Sequence, residues 1–527
     1  MPAATHSSMG IRCGLVPMYP SASGRPWITC SRPLTTPKTF PRRRPREGPT
    51  FLAQADARAH ADPSRGGLPR HVRRELEEFI DCGILGRGFV RAYCAACKES
   101  ILVAFSCKAR AVCPSCTGRR MAEVAAHLVD HVLPEVPIRQ WVLSLPHRVR
   151  YLLARHPTLC REVRGIFVRA VQSFYRRRAR PQGISGGRCG AVVYTQRFDS
   201  ALRLDVHFHA LLLDGVYEGF ETGERLAFHQ ATPLHDDEVA HLARHVKELI
   251  NGHLRRRGYL DEDLALIDES ESSLDEQATH HAAAIQGLIP FGPRAGRQAL
   301  LFGEAPASPL PPRPPKKLCA DVAGYSLHAA LRIGAGKFAR LERLCRYIAR
   351  PPLAQHRLSV SRDGSVIYEF RKPWRSGQVA VVMDPMTFIS RLAAQVPPPR
   401  FHVLSYYGVL APAAARRDEI VPGQQDGEDP ARQSCIASSA AACNSSTGRE
   451  KAKAKRSRPE RLAWAELVKR VFLEDVLACP CGGRRRVLAM VFDPVSIERV
   501  LRHLGLRHER PARAPPRRLQ AELGFCE

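Results

Sequence analysis

Apolar and polar positions recur along this chain with two different periods, and the switches between them mark out its elements. Residues 138–146 (IRQWVLSLP), 190–198 (GAVVYTQRF) and 202–215 (LRLDVHFHALLLDG) read as strands. The second and third flank the short segment DSA, so they form a hairpin. Apolar residues three and four apart predict helices over 71–83, 119–133, 158–181, 236–258 and 337–352. In the first of these Val72, Leu76, Phe79 and Ile80 share a face, and Pro351 and Pro352 stop the last. Residues 325–334 (YSLHAALRIG) return to a strand, and 356–374 predict a hairpin turning at Asp363-Gly364. Strands and helices intermix and hairpins outnumber crossovers, which predicts an α+β fold.

Stretches without either period divide the chain. Residues 1–67 are rich in Pro, Ser, Arg and Thr and read as a disordered extension or a mis-assigned start. A cysteine-rich module over 68–132 and a main domain over 138–410 follow, the latter carrying a helical and Pro-rich insertion at about 216–317. Residues 411–460, rich in Ser, Ala and Lys, read as a linker. A small unit over 461–507 and a tail over 508–527 complete the chain.

Charge narrows the partners. Lys and Arg number 80 against 51 Asp and Glu, a formal net charge of +29 over 527 residues. A GC-rich genome spells Arg often, but an excess this large also calls for a polyanion, and nucleic acid is the obvious one. No apolar run reaches the ~18 residues of a membrane span. The first residues, MPAATHSSMGIRCG, lack the apolar core of a signal peptide. The 17 cysteines fit reduced, partly metal-bound thiols in a cytoplasm better than a disulfide framework.

Three constellations carry candidate chemistry. Cys94-x2-Cys97 and Cys113-x2-Cys116, with 15 residues between the pairs, match the spacing of one closed four-thiolate zinc site. Cys82 and Cys107 lie close enough to join or replace a ligand. Arg119 and Arg120 follow the second pair, where such a module would hold DNA backbone. His207 and His209 project from one face of a strand, about 7 Å apart. They are either core residues that happen to alternate or two ligands of one ion. If the hairpin turns at DSA, Gln196 falls across from Asp205 on that same face and offers an oxygen as third ligand. Two imidazoles and one oxygen leave coordination positions open to a phosphate. On the last helix, Tyr347 follows Leu344 by three, with Arg343, Arg346 and Arg350 on a neighbouring face. Either the ring packs beside the leucines or, helped by a cation, the phenol is a nucleophile.

The segments FSCKARAVCPSC, TQRFDSALRLDVHFHALLLDGVY, LERLCRYIARPPLAQHRL and LACPCGG occur in this order within 68–507. Together they resemble the rolling-circle insertion-sequence transposases of the IS91 type, including the ISCR elements, which carry an N-terminal zinc-binding region. The resemblance implies an HUH endonuclease fold, a central antiparallel sheet with the histidines on one strand and the tyrosine on an adjacent helix. It implies that His207 and His209 hold Mg²⁺ or Mn²⁺, and that Tyr347 attacks single-stranded DNA to leave a 5′-phosphotyrosine. Gln196 as third ligand is not part of that carry-over. Two departures stand out. Some members have two tyrosines four residues apart, and Arg343 takes the earlier position here. That points to the single-tyrosine, ISCR-like branch, with the nucleophile regenerated or supplied by a second subunit of a homodimer. The family's C-terminal C-x2-C is shortened to Cys479-x-Cys481, which puts a second metal knuckle in question. The expected function is a transposase acting on single-stranded and element-end DNA. A replication initiator with the same chemistry and a non-catalytic zinc-dependent DNA-binding protein are the alternatives.

Overall fold

The computed structural model describes residues 48–63, 67–221, 223, 225–261, 275–303, 316–422, 464–472 and 475–506. The elements run α1 (Gly48–Ala61), α2 (Arg70–Asp81), β1 (Phe89–Cys94), β2 (Ser100–Ala104), α3 (Pro114–His131), β3 (Ile138–Ser144), α4 (His147–Arg155) and α5 (Pro157–Ala179). Then come β4 (Gly190–Phe198), β5 (Leu204–Leu213), β6 (Gly215–Glu218), β7 (Ala227–Gln230), α6 (Asp236–Arg256), α7 (Glu276–Gln286), β8 (Leu300–Phe302), β9 (Cys319–Val322), β10 (Tyr325–His328) and β11 (Arg332–Ile333). The remainder are α8 (Phe338–Ile348), β12 (Leu358–Val360), β13 (Val366–Glu369), β14 (Ala380–Met383), α9 (Pro385–Gln395), β15 (Leu404–Gly408), α10 (Trp464–Phe472), β16 (Arg485–Val491) and α11 (Pro494–His503).

Among the described residues every strand pair is antiparallel, so the mixed α+β expectation holds at that level. The largest sheet has seven strands in the order β15-β4-β5-β3-β10-β9, with β11 also paired to β3. β5 lies inside it between β4 and β3, and nearly all of its residues are buried. A strand covered on both faces needs apolar residues on both, and Val206, Phe208, Ala210 and Leu212 fill one side. α5 covers that side, with Phe167 stacked on Phe208 at 6.3 Å. α8 covers the other, which carries His207 and His209. The 325–334 strand breaks into β10 and β11, both of which pair with β3.

The β4–β5 hairpin differs in register from the expectation. Gln196 faces His207, not Asp205. The loop is longer than DSA, because Asp199 Oδ1 accepts the backbone N–H groups of Ala201 and Arg203, both at 2.9 Å. This Asx-type turn and an irregularity between Gln196 and Phe198 move the pairing by two residues, which keeps Gln196 on the histidine face.

α1 begins inside the stretch expected to be disordered, and Phe51, Leu52 and Ala55 bury in a second core with α2, α9 and the sheet β12-β13-β14-β8. Their i, i+1, i+4 spacing is a helical stripe overshadowed by the surrounding Pro and Arg. Within the segment expected as an insertion, α6 belongs to the main core, while 262–274 and the Pro-rich 304–315 lie outside the described residues. α6 buries Val239, Leu242, Val246, Ile250 and Leu254 in that core, and Tyr325 donates from its hydroxyl to Asn251 Oδ1 at 2.5 Å. The C-terminal unit does not stand alone: β16 pairs with β1 in a three-stranded sheet ordered β16-β1-β2. Ile497 and Leu501 of α11 pack on Phe89, and Leu467 of α10 sits between Ala122 and Ala126. Of the expected linker, 411–422 folds back with Ile420 buried, while 423–460 lies outside the described residues.

Candidate active site and thiolate clusters

The central sheet and α8 bring Tyr347, His207, His209, Gln196 and Arg350 together. The two imidazole rings are 5.0 Å apart, and the Tyr347 ring meets His209 edge-on at 6.2 Å and 86°. Arg350 holds its guanidinium 4.5 Å over the Tyr347 ring and reaches Gln196 Oε1 at 3.5 Å. Burial pushes both imidazoles below their ordinary pKa, and for His209 the neighbouring His207 and Arg350 push it further. Both are therefore held neutral, the form that ligates metal.

Hydrogen bonding around His207 leaves a mismatch. Its Nδ1 lies 2.9 Å from the Asp205 carbonyl, and a neutral ring that donates there presents a bare lone pair at Nε2. That Nε2 faces Gln196 Oε1 at 3.1 Å. The amide is fixed in this sense, since its Nε2 donates to the Ile348 carbonyl at 3.3 Å and Arg350 donates to its oxygen. Two acceptors thus face each other, a contact that a cation between them relieves. His209 Nε2 is also buried without a partner. Gln140, on β3 beside β5, contacts His209 Nδ1 at 2.9 Å. Turned with its oxygen inward, that amide accepts Nδ1–H and frees Nε2 as a third donor atom. Two imidazole nitrogens and one amide oxygen fit a divalent ion with open positions. The sequence reading missed Gln140; its signal was a polar residue in an apolar strand, on the same face as the histidines across the ladder.

The tyrosine opens onto a cleft of about 1870 Å³ between the seven-stranded sheet and the cysteine module. This exceeds the roughly 300–1,000 Å³ of small-molecule pockets and suits a polymer. Among the described residues its lining includes Arg119, Arg340, Arg343, Arg350, Arg357, Arg371, Lys372 and Arg375 against one acid, Asp199, which is paired with Arg203 at 2.6 Å. Of the arginines singled out from sequence, Arg119, Arg343 and Arg350 line it. Arg346 and Arg120 do not; Arg120 donates to the Lys108 carbonyl at 3.2 Å.

The cysteines regroup. Cys94, Cys97, Cys113 and Cys116 do not meet at one point, which corrects the single-ribbon expectation. Cys113 and Cys116 join Cys82 and Cys107, while Cys94 and Cys97 join Cys479 and Cys481. The hairpin β1–β2 carries the first pair away from the start of α3, which carries the second. In the first cluster Sγ separations are 3.4 Å (Cys107–Cys116), 3.7 Å (Cys82–Cys113) and 3.8 Å (Cys82–Cys116). A zinc ion with Zn–S bonds of ~2.3 Å needs tetrahedral edges of about 3.8 Å, so these sulfurs fit a structural zinc. Glu75 of α2 fixes the loop leading into it by accepting the backbone N–H groups of Arg110 and Ala111, both at 2.6 Å, and Val112 at 3.2 Å.

Residues 190–418 match the family model described as "Putative transposase", and residues 53–145 match the IS91 model described as "Transposase zinc-binding domain". No curated protein and no solved structure matches the chain.

Proposed function

This chain belongs to the IS91-type transposases, and on that footing we propose that it cuts and rejoins single DNA strands through a covalent link to Tyr347. The reading adds an HUH-type, rolling-circle mechanism to the transposase assignment. The observation that carries it is the edge-on contact of Tyr347, which lines a basic cleft, with His209, itself beside His207 and its facing acceptor Gln196. The Tyr347 oxygen attacks the scissile phosphorus, the P–O3′ bond breaks, and the phenolic proton ends on the departing 3′ oxygen. One phosphodiester replaces another, so a second 3′-hydroxyl can reverse the step without outside energy. A divalent ion, Mg²⁺ or Mn²⁺, held by His207, His209 and Gln196 would polarise the phosphate as a Lewis acid. Arg350 seats the phosphate beside the phenol, and Gln140 holds His209 in the ligating tautomer. Arg340 and Arg343 track the backbone of the bound strand.

Arg343 stands where a second tyrosine would be, so Tyr347 must be regenerated between strand transfers or be complemented by a second subunit. The zinc module forms the opposite wall of the cleft and would hold element ends. Such work places the protein in the cytoplasm on chromosomal DNA. The test is end-labelled single-stranded DNA incubated with the protein and Mn²⁺, resolved under denaturing conditions. An adduct with the native chain and none with Tyr347→Phe, which still binds DNA, is the expected result. Binding without any adduct would instead support the non-catalytic reading.

A further inference from the structure

A second tetrahedron of sulfurs lies partly beyond the reach of both family models. Cys479 and Cys481 fall outside the matched residues, yet their sulfurs stand 3.6 Å from those of Cys97 and Cys94. We propose that Cys94, Cys97, Cys479 and Cys481 hold a second structural zinc ion, which clasps the C-terminal segment onto the cysteine module and fixes one wall of the cleft.

Four features carry this. The separations suit the ~3.8 Å edge of a zinc tetrathiolate and are far beyond the ~2.05 Å of a disulfide. The backbone is drawn up against the sulfurs: a Cβ on Gly483 would lie 2.9 Å from Cys94 Sγ and 3.4 Å from Cys481 Sγ. A tight turn brings the shortened pair to bear, with Gly482 N–H donating to the Cys479 carbonyl and Cys479 N–H to the Gly483 carbonyl, both at 2.9 Å. Four thiolates around a dication leave a charge of about −2, and Arg485, paired with Cys94 across the β1–β16 ladder, stands beside it. As the ion binds, any protonated thiols release their protons to solvent, so loading strengthens as pH rises.

The clasp bears on the cleft because Met490 of β16 and Leu467 of α10 line it. Non-metal contacts also hold this segment, notably Arg470, which donates to both Asp130 and Glu342 at 2.9 Å. The ion's effect therefore concentrates at the knuckle end of β16 rather than releasing the whole segment.

The claim does not depend on the strand-transfer reading, and zinc is the probe. Native mass spectrometry of the full chain should count two zinc ions, and one in Cys479→Ser/Cys481→Ser. One ion in the native chain, or two in the double variant, overturns the proposal. Cys481 provides a check that needs no variant, because it is exposed and burial cannot protect it. In the zinc-loaded chain it should resist alkylation together with its three partners, and all four should label when a chelator is added. Rapid labelling of Cys481 in the loaded chain overturns the site. Amide exchange at the Arg485 end of β16 should run about ten-fold faster in the double variant, with β5 unchanged. Unchanged exchange there overturns the clasp.

Discussion

Removing cations from the cleft should flatten the salt dependence of DNA binding by a calculable amount. Single-stranded DNA loses affinity with a log–log slope of about −0.7 per neutralised phosphate. Eight basic side chains line the cleft, and its one acid is already paired with Arg203. If each meets one phosphate, the slope is about −5.6, which is roughly a two-thousand-fold loss of affinity between 50 and 200 mM salt. The basic surface elsewhere adds to the absolute slope, so the difference between variants is the decisive quantity. Arg340 and Arg343 are exposed residues on α8, a turn or more before Tyr347. Replacing both with Ala should reduce the slope by about 1.4 and leave the folded structure intact. Fluorescence anisotropy with a labelled oligonucleotide at four or five salt concentrations measures it. An unchanged slope in the double variant would refute the placement of the strand against α8. So would an equal reduction on replacing Arg255 and Arg256, which are exposed at the end of α6 and do not line the cleft.

Asp214→Ala should destabilise the fold by about 3–5 kcal/mol in a urea titration, because it strands buried Arg139, whose Nε and Nη2 donate to that carboxylate at 2.8 and 3.1 Å. Burial alone would raise the Asp214 pKa, but Arg139, Arg332 and Tyr175 outweigh it and hold it below the ordinary 3.8. Its contribution is thus complete above pH 3.8 and fades as pH falls through the lower folded value, a loss that the alanine variant should not show. Phe51→Ala, at a fully buried position of α1, should cost about 3–5 kcal/mol by the same titration, whereas an extension that packs on nothing would show no change. Cys107→Ser should lower zinc content and melting temperature together, since a closed thiolate site adds its binding energy to folding.

Local pattern was enough to read the hairpin and the tyrosine helix, because both depend on neighbours in sequence. Strand period alone put Gln196, His207 and His209 on one face, and it survived a two-residue error in register. Partnership across long separations was not legible in the same way. Cys94 meets Cys481 over 387 residues, and a C-x2-C pair does not say which second pair completes it. Spacing favoured the near pair, and the intervening β1–β2 hairpin carried it elsewhere. α1 is masked in sequence because the Pro- and Arg-rich residues around it outnumber its single buried stripe of Phe51, Leu52 and Ala55. Gln140 was hidden because its role comes from the strand beside it, not from its own sequence neighbours.

The pairing of β1 with β16 sets a timetable for synthesis. At ~5–20 residues per second, the ribosome delivers Cys481 roughly 20 to 80 seconds after Cys94. Through that interval the nascent chain carries an open strand edge and two waiting thiols, while the first cluster can already be complete. A message broken between the codons for Tyr347 and Arg485 yields a polypeptide with the tyrosine and both histidines but no third strand, so the three-stranded sheet forms only once the chain has been made through β16.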